Sequence, residues 1–307
     1  MRHQICYDRN NVLGLLYGTC IGDALGMKFD GCSNESIAPL ELDSILSQTS
    51  GLYTGDTQLN ISVLEEMVEN GGIDQASLGT RIMSRYSPWR KYGGGMFIVI
   101  ERWRDGESFS KAAESLYSGN GSYGDGAAVR AAPVSCFFNI EQSDLLFEQV
   151  TLSSKLTHAH AIGIDGAKLQ AYAALLALNK VDPSEWTGMM FQLPIDSSFK
   201  IKLGQIDYCL RNDATLTTVI DTIGNGSDAL SAVSAAIYSL IRNKDSFVDA
   251  ILYAIELGGD TDTIGAMTGA LAGAIHGMRN IPQTIIDKLE NGHEGVKFIE
   301  SLVDKAM

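Results

Sequence analysis

Basic charge is in short supply in this sequence. Lysine and arginine number 23 against 37 aspartates and glutamates, a net charge of −14 over 307 residues. Nucleic acid is held chiefly by a cationic surface, so phosphate-backbone binding is excluded as the main source of affinity. A local basic pocket stays compatible with this balance, and acidity of this size also serves plain solubility. Cysteine is equally sparse: Cys6, Cys20, Cys32, Cys136 and Cys209 are odd in number, scattered and without CxxC spacing. Neither a disulfide framework nor a zinc site is indicated, and a reducing cytoplasm is the expected compartment. Long apolar runs are missing too. The apolar stretch 12–27 is preceded by Asp8, interrupted by Asp23 and diluted by glycine, unlike a secretion signal. No run reaches the roughly 20 apolar residues of a membrane span, and no convincing strand alternation occurs.

Helix remains, and with 45% hydrophobic residues one large domain over 1–307 is expected. The chain is organised around GGDTDTIGAMTGALAGAIHG at 258–277, an oxygen-rich acidic turn feeding a slim helix. Asp260, Thr261, Asp262 and Thr263 place two carboxylates and two hydroxyls at a helix start. That composition suits a hard cation such as Mg²⁺ or Ca²⁺, and equally an N-cap with a second acid favoured by the helix dipole. Behind it Gly265, Gly269, Gly273 and Gly277 recur every four residues, and Gly14, Gly18, Gly22 and Gly26 make the same stripe near the other end. Glycine inside a helix costs about 1 kcal/mol against alanine. Close approach of two backbones is the compensation expected, so the two helices should pack against each other. Asp23, buried there, would need a hydrogen-bonding partner.

In chain order the periodicity predicts a helix over 10–27, a loop over 28–53, and a second oxygen-rich start, TGDT, opening a helix over 54–72. Further helices are expected over 75–86, 96–104 and 108–117, and over 127–138 with Pro133 kinking or splitting it. The remainder reads as helices over 143–156, 163–178, 184–191, 199–211, 227–242 and 246–257. Alanine-rich faces such as AYAALLAL mark inner helices of a compact all-α bundle. Tyr92-Gly93-Gly94-Gly95 precedes a helix and fits either a phosphate cradle or a flexible linker. SGNGSYGDG at 118–126 is the most glycine-rich segment. His158 and His160 stand just before a helix start, where ligand contact or simple capping would both place them. His3, His276 and His293 have no comparable context.

Taken together, these motifs resemble the ADP-ribosylglycohydrolase family, the group of the dinitrogenase reductase-activating glycohydrolases and ADP-ribosyl-acceptor hydrolases. GDALGMKFD at 22–30, TGDTQ at 54–58, GSYGDGAAVRAAP at 121–133, LTHAHAIGIDGAKLQA at 156–171 and GGDTDT at 258–263 carry the resemblance over essentially the whole chain. The GSYG and THA segments are most similar to the subgroup acting on serine-linked ADP-ribose and related O-linked esters. The resemblance implies an orthogonal all-α bundle with two Mg²⁺ ions gripping the diol of the distal ribose. It implies metal ligands at Thr54, Asp56, Asp260, Asp262 and Thr263, with Asp30 where the family usually carries a mobile catalytic glutamate. Tyr92, Gly93, Gly94 and Gly95, with Gly121, Ser122, Tyr123, Gly124 and Asp125, match loops around the diphosphate and ribose. Tyr117 matches an aromatic stacked on adenine, and His158 a substrate-contacting histidine.

Three departures bear on activity. The family's TDDT is TGDT here, so Gly55 removes a carboxylate and implies that one metal position is weak or empty. Asp30 is one methylene shorter than glutamate. Asp125 stands where the similar subgroup has asparagine, and its charge would repel a diphosphate unless protonated or bridged by metal. Gly55→Asp is accordingly expected to restore metal affinity if its side chain points inward, with a site rebuilt around Asp125 as the competing idea. The expected function is Mg²⁺-dependent hydrolysis of the bond between ADP-ribose and an acceptor, with a catalytically weak ADP-ribose-binding relative as the alternative. An ADP-ribosylated protein or conjugate is the implied partner, nucleic acid only if itself ADP-ribosylated, no membrane, and the protein is expected to be a monomer.

Overall fold

Asp8 accepts a hydrogen bond from the Asn10 amide at 2.7 Å and so caps the helix that organises the molecule. That helix, α1 (Arg9–Gly26), runs antiparallel to α16 (Thr261–His276). The two glycine stripes meet face to face. A Cβ built on Gly18 would lie 1.9 Å from the Gly269 carbonyl oxygen, and one on Gly269 would lie 2.0 Å from that of Gly18. Gly14 stands against Gly273 and Gly22 against Gly265 in the same way, while Gly277, at φ 74°, ends α16. Backbone contact along this seam offsets glycine's helix penalty.

The computed structural model describes residues 4–37 and 39–307, so His3 lies outside the described residues. Between the seam helices come α2 (Leu42–Gln48), α3 (Gly55–Asn70), α4 (Gln75–Arg85), α5 (Gly94–Arg104), α6 (Phe109–Glu114), α7 (Leu116–Gly119) and α8 (Gly126–Val129). Then follow α9 (Ser143–Ser154), α10 (Ala161–Leu178), α11 (Trp186–Phe191), α12 (Ser197–Arg211), α13 (Leu216–Ile223), α14 (Ala229–Arg242) and α15 (Phe247–Glu256). Helices α17 (Gln283–Ile286) and α18 (Val296–Ala306) close the chain. No strand occurs among the described residues, only two isolated bridges, and the all-α bundle is the architecture expected. Apolar side chains from Val12 to Ala306 join in one connected core.

The expected segments need several corrections. The 28–53 loop contains α2 and a 3₁₀ turn, and α13, α17 and α18 add helices beyond those expected. The helix expected over 127–138 is split rather than kinked: α8, one turn long, is followed by a 3₁₀ segment Ala132–Phe137 that starts around Pro133. Proline lacks the amide that a continuous α-helix would use there. Helix α10 is 18 residues long and apolar enough to cross a membrane by length and composition, yet 78% of it is buried inside the protein, as a core helix is.

Candidate active site

Asp23 sits inside α1 with no exposed surface, and its carboxylate is fully engaged. It accepts from the Thr54 amide at 2.9 Å, from the Thr57 amide at 3.1 Å and from the Thr57 hydroxyl at 2.6 Å. Burial pushes its pKa up to about 6 against the opposing pull of these bonds. The partner that a buried acid requires is therefore the start of α3, which Asp23 fixes to the seam. At that start the Thr54 hydroxyl accepts from the Asp56 amide at 3.2 Å, and the Thr263 hydroxyl donates to Asp56 at 2.8 Å across 207 residues of sequence. The starts of α3 and α16 thus converge.

A third segment joins them. Gly31 N–H donates to the Gly259 carbonyl and Gly259 N–H to the Cys32 carbonyl, both at 2.9 Å, next to the Ser33–Gly258 bridge. This ties the Asp30 loop to the acidic turn, and one carboxylate oxygen each of Asp30, Asp260 and Asp262 lies within 4.8 Å of the others. Lys91, in a left-handed conformation, reaches Asp30 at 3.5 Å and the Met27 carbonyl at 3.0 Å. Burial and the neighbouring acids hold Asp56 and Asp262 well above the usual carboxylate range. Asp125 is likewise raised, first by burial and then by Asp260 and Asp56; its buried Oδ2 has no donor to accept from, and the side chain that meets this carboxyl is a second acid, Asp260. So many crowded acids, oxygen-only and one with an orphaned buried atom, fit a divalent cation, whose charge would relieve both burial and mutual repulsion.

These acids line one side of a cavity of about 320 Å³. Tyr92, Gly93, Gly94, Gly95, Tyr117, Ser122, Gly124, Asp125 and His158 line it with them, together with Thr54, Asp56 and Thr263. Gly121 and Tyr123 do not; they line an adjoining cleft that shares Tyr117, Ser122 and Gly124. At Gly121 the reason is close approach, since at φ 73° a Cβ would lie 2.8 Å from the His160 amide nitrogen. Tyr117 and Ser118 both adopt left-handed backbone, a strained pair that leaves the Tyr117 ring exposed at the junction of the two clefts.

Gly55 does not leave an empty ligand position. A Cβ there would lie 2.5 Å from the Tyr92 ring, whose hydroxyl donates to Gln58 at 2.6 Å. The tyrosine ring occupies the space a side chain at 55 would need, so the inward-pointing carboxylate expected for Gly55→Asp has no room. Several lining residues escaped the sequence reading: Lys91, Met96, Gly126, Arg130, Thr157 and Ser227. The 225–228 loop was also missed. The Asn225 carbonyl accepts from the Asp260 amide and that of Ser227 from the Asp125 amide, so one turn fastens both acid-bearing loops. Its Asn-Gly-Ser-Asp composition was the available signal.

An acid cluster of a kind that could hold a cation thus stands beside a glycine-rich cleft in an all-α bundle, and comparison gives the family. The family model described as ADP-ribosylglycohydrolase matches residues 6–307, and the chain belongs to that family. It is 31% identical to ADP-ribosylhydrolase ARH3 of Xenopus tropicalis over 311 residues, 88% of each chain. With ADP-ribosylhydrolase ARH3 of Homo sapiens it shares 29% over 339 residues, 94% of this chain and 92% of that one. A solved ADP-ribosylglycohydrolase-related protein complex superposes with a TM-score of 0.75 over 97% of this chain and 98% of its own at 20% identity, a likeness of fold.

Proposed function

We propose that this protein hydrolyses the glycosidic bond joining ADP-ribose to an acceptor, with Mg²⁺ as cofactor. The observation that carries the reading is the convergence of Asp30, Asp260 and Asp262 within 4.8 Å at a cleft lined by glycine. Cleavage of such a bond passes through an oxocarbenium-like state, so the site must hold the ribose and deliver water to one face. A bound cation would orient the ribose diol and acidify water. Asp56, Asp260 and Asp262, with the Thr54 and Thr263 hydroxyls, would hold it. Asp30 is more exposed than these and paired with Lys91, which suits a proton-handling group at the mouth of the site. The start of α5 at Gly94 and Gly95 offers backbone N–H groups and a helix dipole to a diphosphate. An O-linked acceptor such as serine is the substrate class favoured, in a reducing compartment suited to five unpaired cysteines.

Incubation with Mg²⁺ and serine-, arginine- or nucleic-acid-linked ADP-ribose, reading released ADP-ribose, tests this. Release from the serine conjugate that stops with EDTA and with Asp262→Ala is expected. Tight ADP-ribose binding without release from any conjugate would instead establish a binding relative, the reading favoured by the Tyr92 ring standing where a ligand side chain at 55 would be.

A further inference from the structure

Arg130 is completely buried, lines the active-site cavity and makes no ion pair with a carboxylate among the described residues. Its guanidinium donates to the Gly126 carbonyl at 2.6 Å, the Ser153 carbonyl at 2.8 Å and the Thr157 hydroxyl at 2.8 Å. The Ser153 bond caps the end of α9 and the Gly126 bond holds the side chain to the start of α8, which together account for part of its position. They leave the Thr157 bond unexplained.

The Thr157 hydroxyl has one hydrogen to give and two neighbours. Arginine can only donate, so the oxygen accepts from Arg130. The other neighbour is His158 Nδ1 at 2.7 Å. If Nδ1 carried a proton, the hydroxyl would accept twice and its own hydrogen, on a buried side chain, would have no acceptor. All three groups are satisfied in one arrangement: Arg130 donates to Thr157, Thr157 donates to Nδ1, and the ring proton sits on Nε2. Nε2 lies over the glycine loop that lines the cavity. A Cβ on Gly124 would be 3.3 Å from it and one on Gly126 3.4 Å away. No protein group among the described residues bonds to Nε2.

We propose that Arg130 and Thr157 are positioning residues that fix the tautomer of His158, presenting Nε2–H to an oxygen acceptor of the ADP-ribose moiety. The role of the hydrogen rests on the function proposed above; the tautomer does not. Burial, and next the Arg130 charge, lower the His158 pKa to about 3, so the ring stays a neutral donor at ordinary pH.

The test is ¹⁵N-histidine NMR of the parent, Thr157→Val and Thr157→Ser, with His158 assigned by its loss in His158→Gln, alongside calorimetric titration with ADP-ribose. The parent is expected to show a protonated Nε2 and an unprotonated Nδ1, and Thr157→Val a mixture of tautomers. ADP-ribose affinity should fall roughly three- to tenfold in Thr157→Val, the cost of misdirecting one hydrogen bond. Thr157→Ser, which keeps the hydroxyl, should match the parent in both readouts, and all variants keep the Arg130 cap on α9. A proton on Nδ1 in the parent overturns the relay, as does a single Nε2–H tautomer in Thr157→Val. If Thr157→Val does not fold, the parent tautomer and the Thr157→Ser match still decide it. A parent with a locked Nε2–H that fails to bind ADP-ribose would sink the ligand assignment and leave the tautomer intact.

Discussion

Glycine does two opposite jobs in this molecule. Along the seam of α1 and α16 each glycine is filled space: a Cβ on Gly14, Gly18 or Gly22 would lie about 2 Å from an opposing carbonyl oxygen, at 2.1, 1.9 and 1.9 Å. At the cavity, Gly93 and Gly94 have nothing within 4 Å of a built Cβ. The seam uses glycine to exclude everything but backbone, and at Gly93 and Gly94 the cavity leaves the space beside the glycine open. The seam also positions the chemistry, because Gly26 and Thr261 bring the end of α1 to the start of α16, where the Thr261 hydroxyl donates to the Gly26 carbonyl at 2.9 Å.

The seam is where a side chain should do most harm. Gly18→Leu or Gly269→Leu forces backbone apart, with an expected loss of ~1 to 3 kcal/mol or more. Both variants should show lowered thermal midpoints or fail to fold. Midpoints equal to the parent's in both would mean the two helices do not pack as described.

Gly55 stands between the extremes, since what fills its space is a side chain. Gly55→Asp alone should destabilise by overpacking against Tyr92, at ~1 to 3 kcal/mol, and should bind Mg²⁺ no more tightly than the parent. The double variant Gly55→Asp/Tyr92→Ala has room for the carboxylate and should bind Mg²⁺ more tightly than Tyr92→Ala. Asp125→Asn examines the other acid of the comparison. If its orphaned oxygen serves the cation, losing that charge weakens Mg²⁺ by roughly tenfold. Calorimetric Mg²⁺ titration separates these cases; unchanged binding in Asp125→Asn would place the carboxylate outside the cation's field.

How far the sequence foretold this depended on whether a feature repeats within a short span. The seam was legible because its glycines recur every four residues on both helices, and a helix penalty repeated that often requires a partner. The acid turns were legible because Asp56, Asp260 and Asp262 stand at helix starts among threonines. Features that exist only after folding were not legible. That Tyr92 fills the space at Gly55 follows from two segments meeting 37 residues apart. Arg130 and Thr157, like the 225–228 turn, act through bonds that no local pattern announces. The break at Ala132–Phe137 was half legible: Pro133 signalled a kink or a split, but not that the second piece would be a 3₁₀ segment.

The smallest stability effect is expected where glycine borders open space. Gly93 has φ −56° and ψ 149°, a conformation open to any L-residue, so alanine there brings no strain. Nothing within 4 Å opposes the methyl, and Gly93→Ala should leave the thermal midpoint near the parent's, within the ~0.5 kcal/mol usual for surface changes. Affinity for ADP-ribose should respond instead. If the diphosphate approaches the backbone ahead of α5, the methyl intrudes on that approach and the affinity falls while the fold is untouched. A normal midpoint with normal affinity would move the diphosphate away from this loop. A lowered midpoint would show that Gly93 is packed like the seam, and the contrast between the two kinds of glycine would fail at that position.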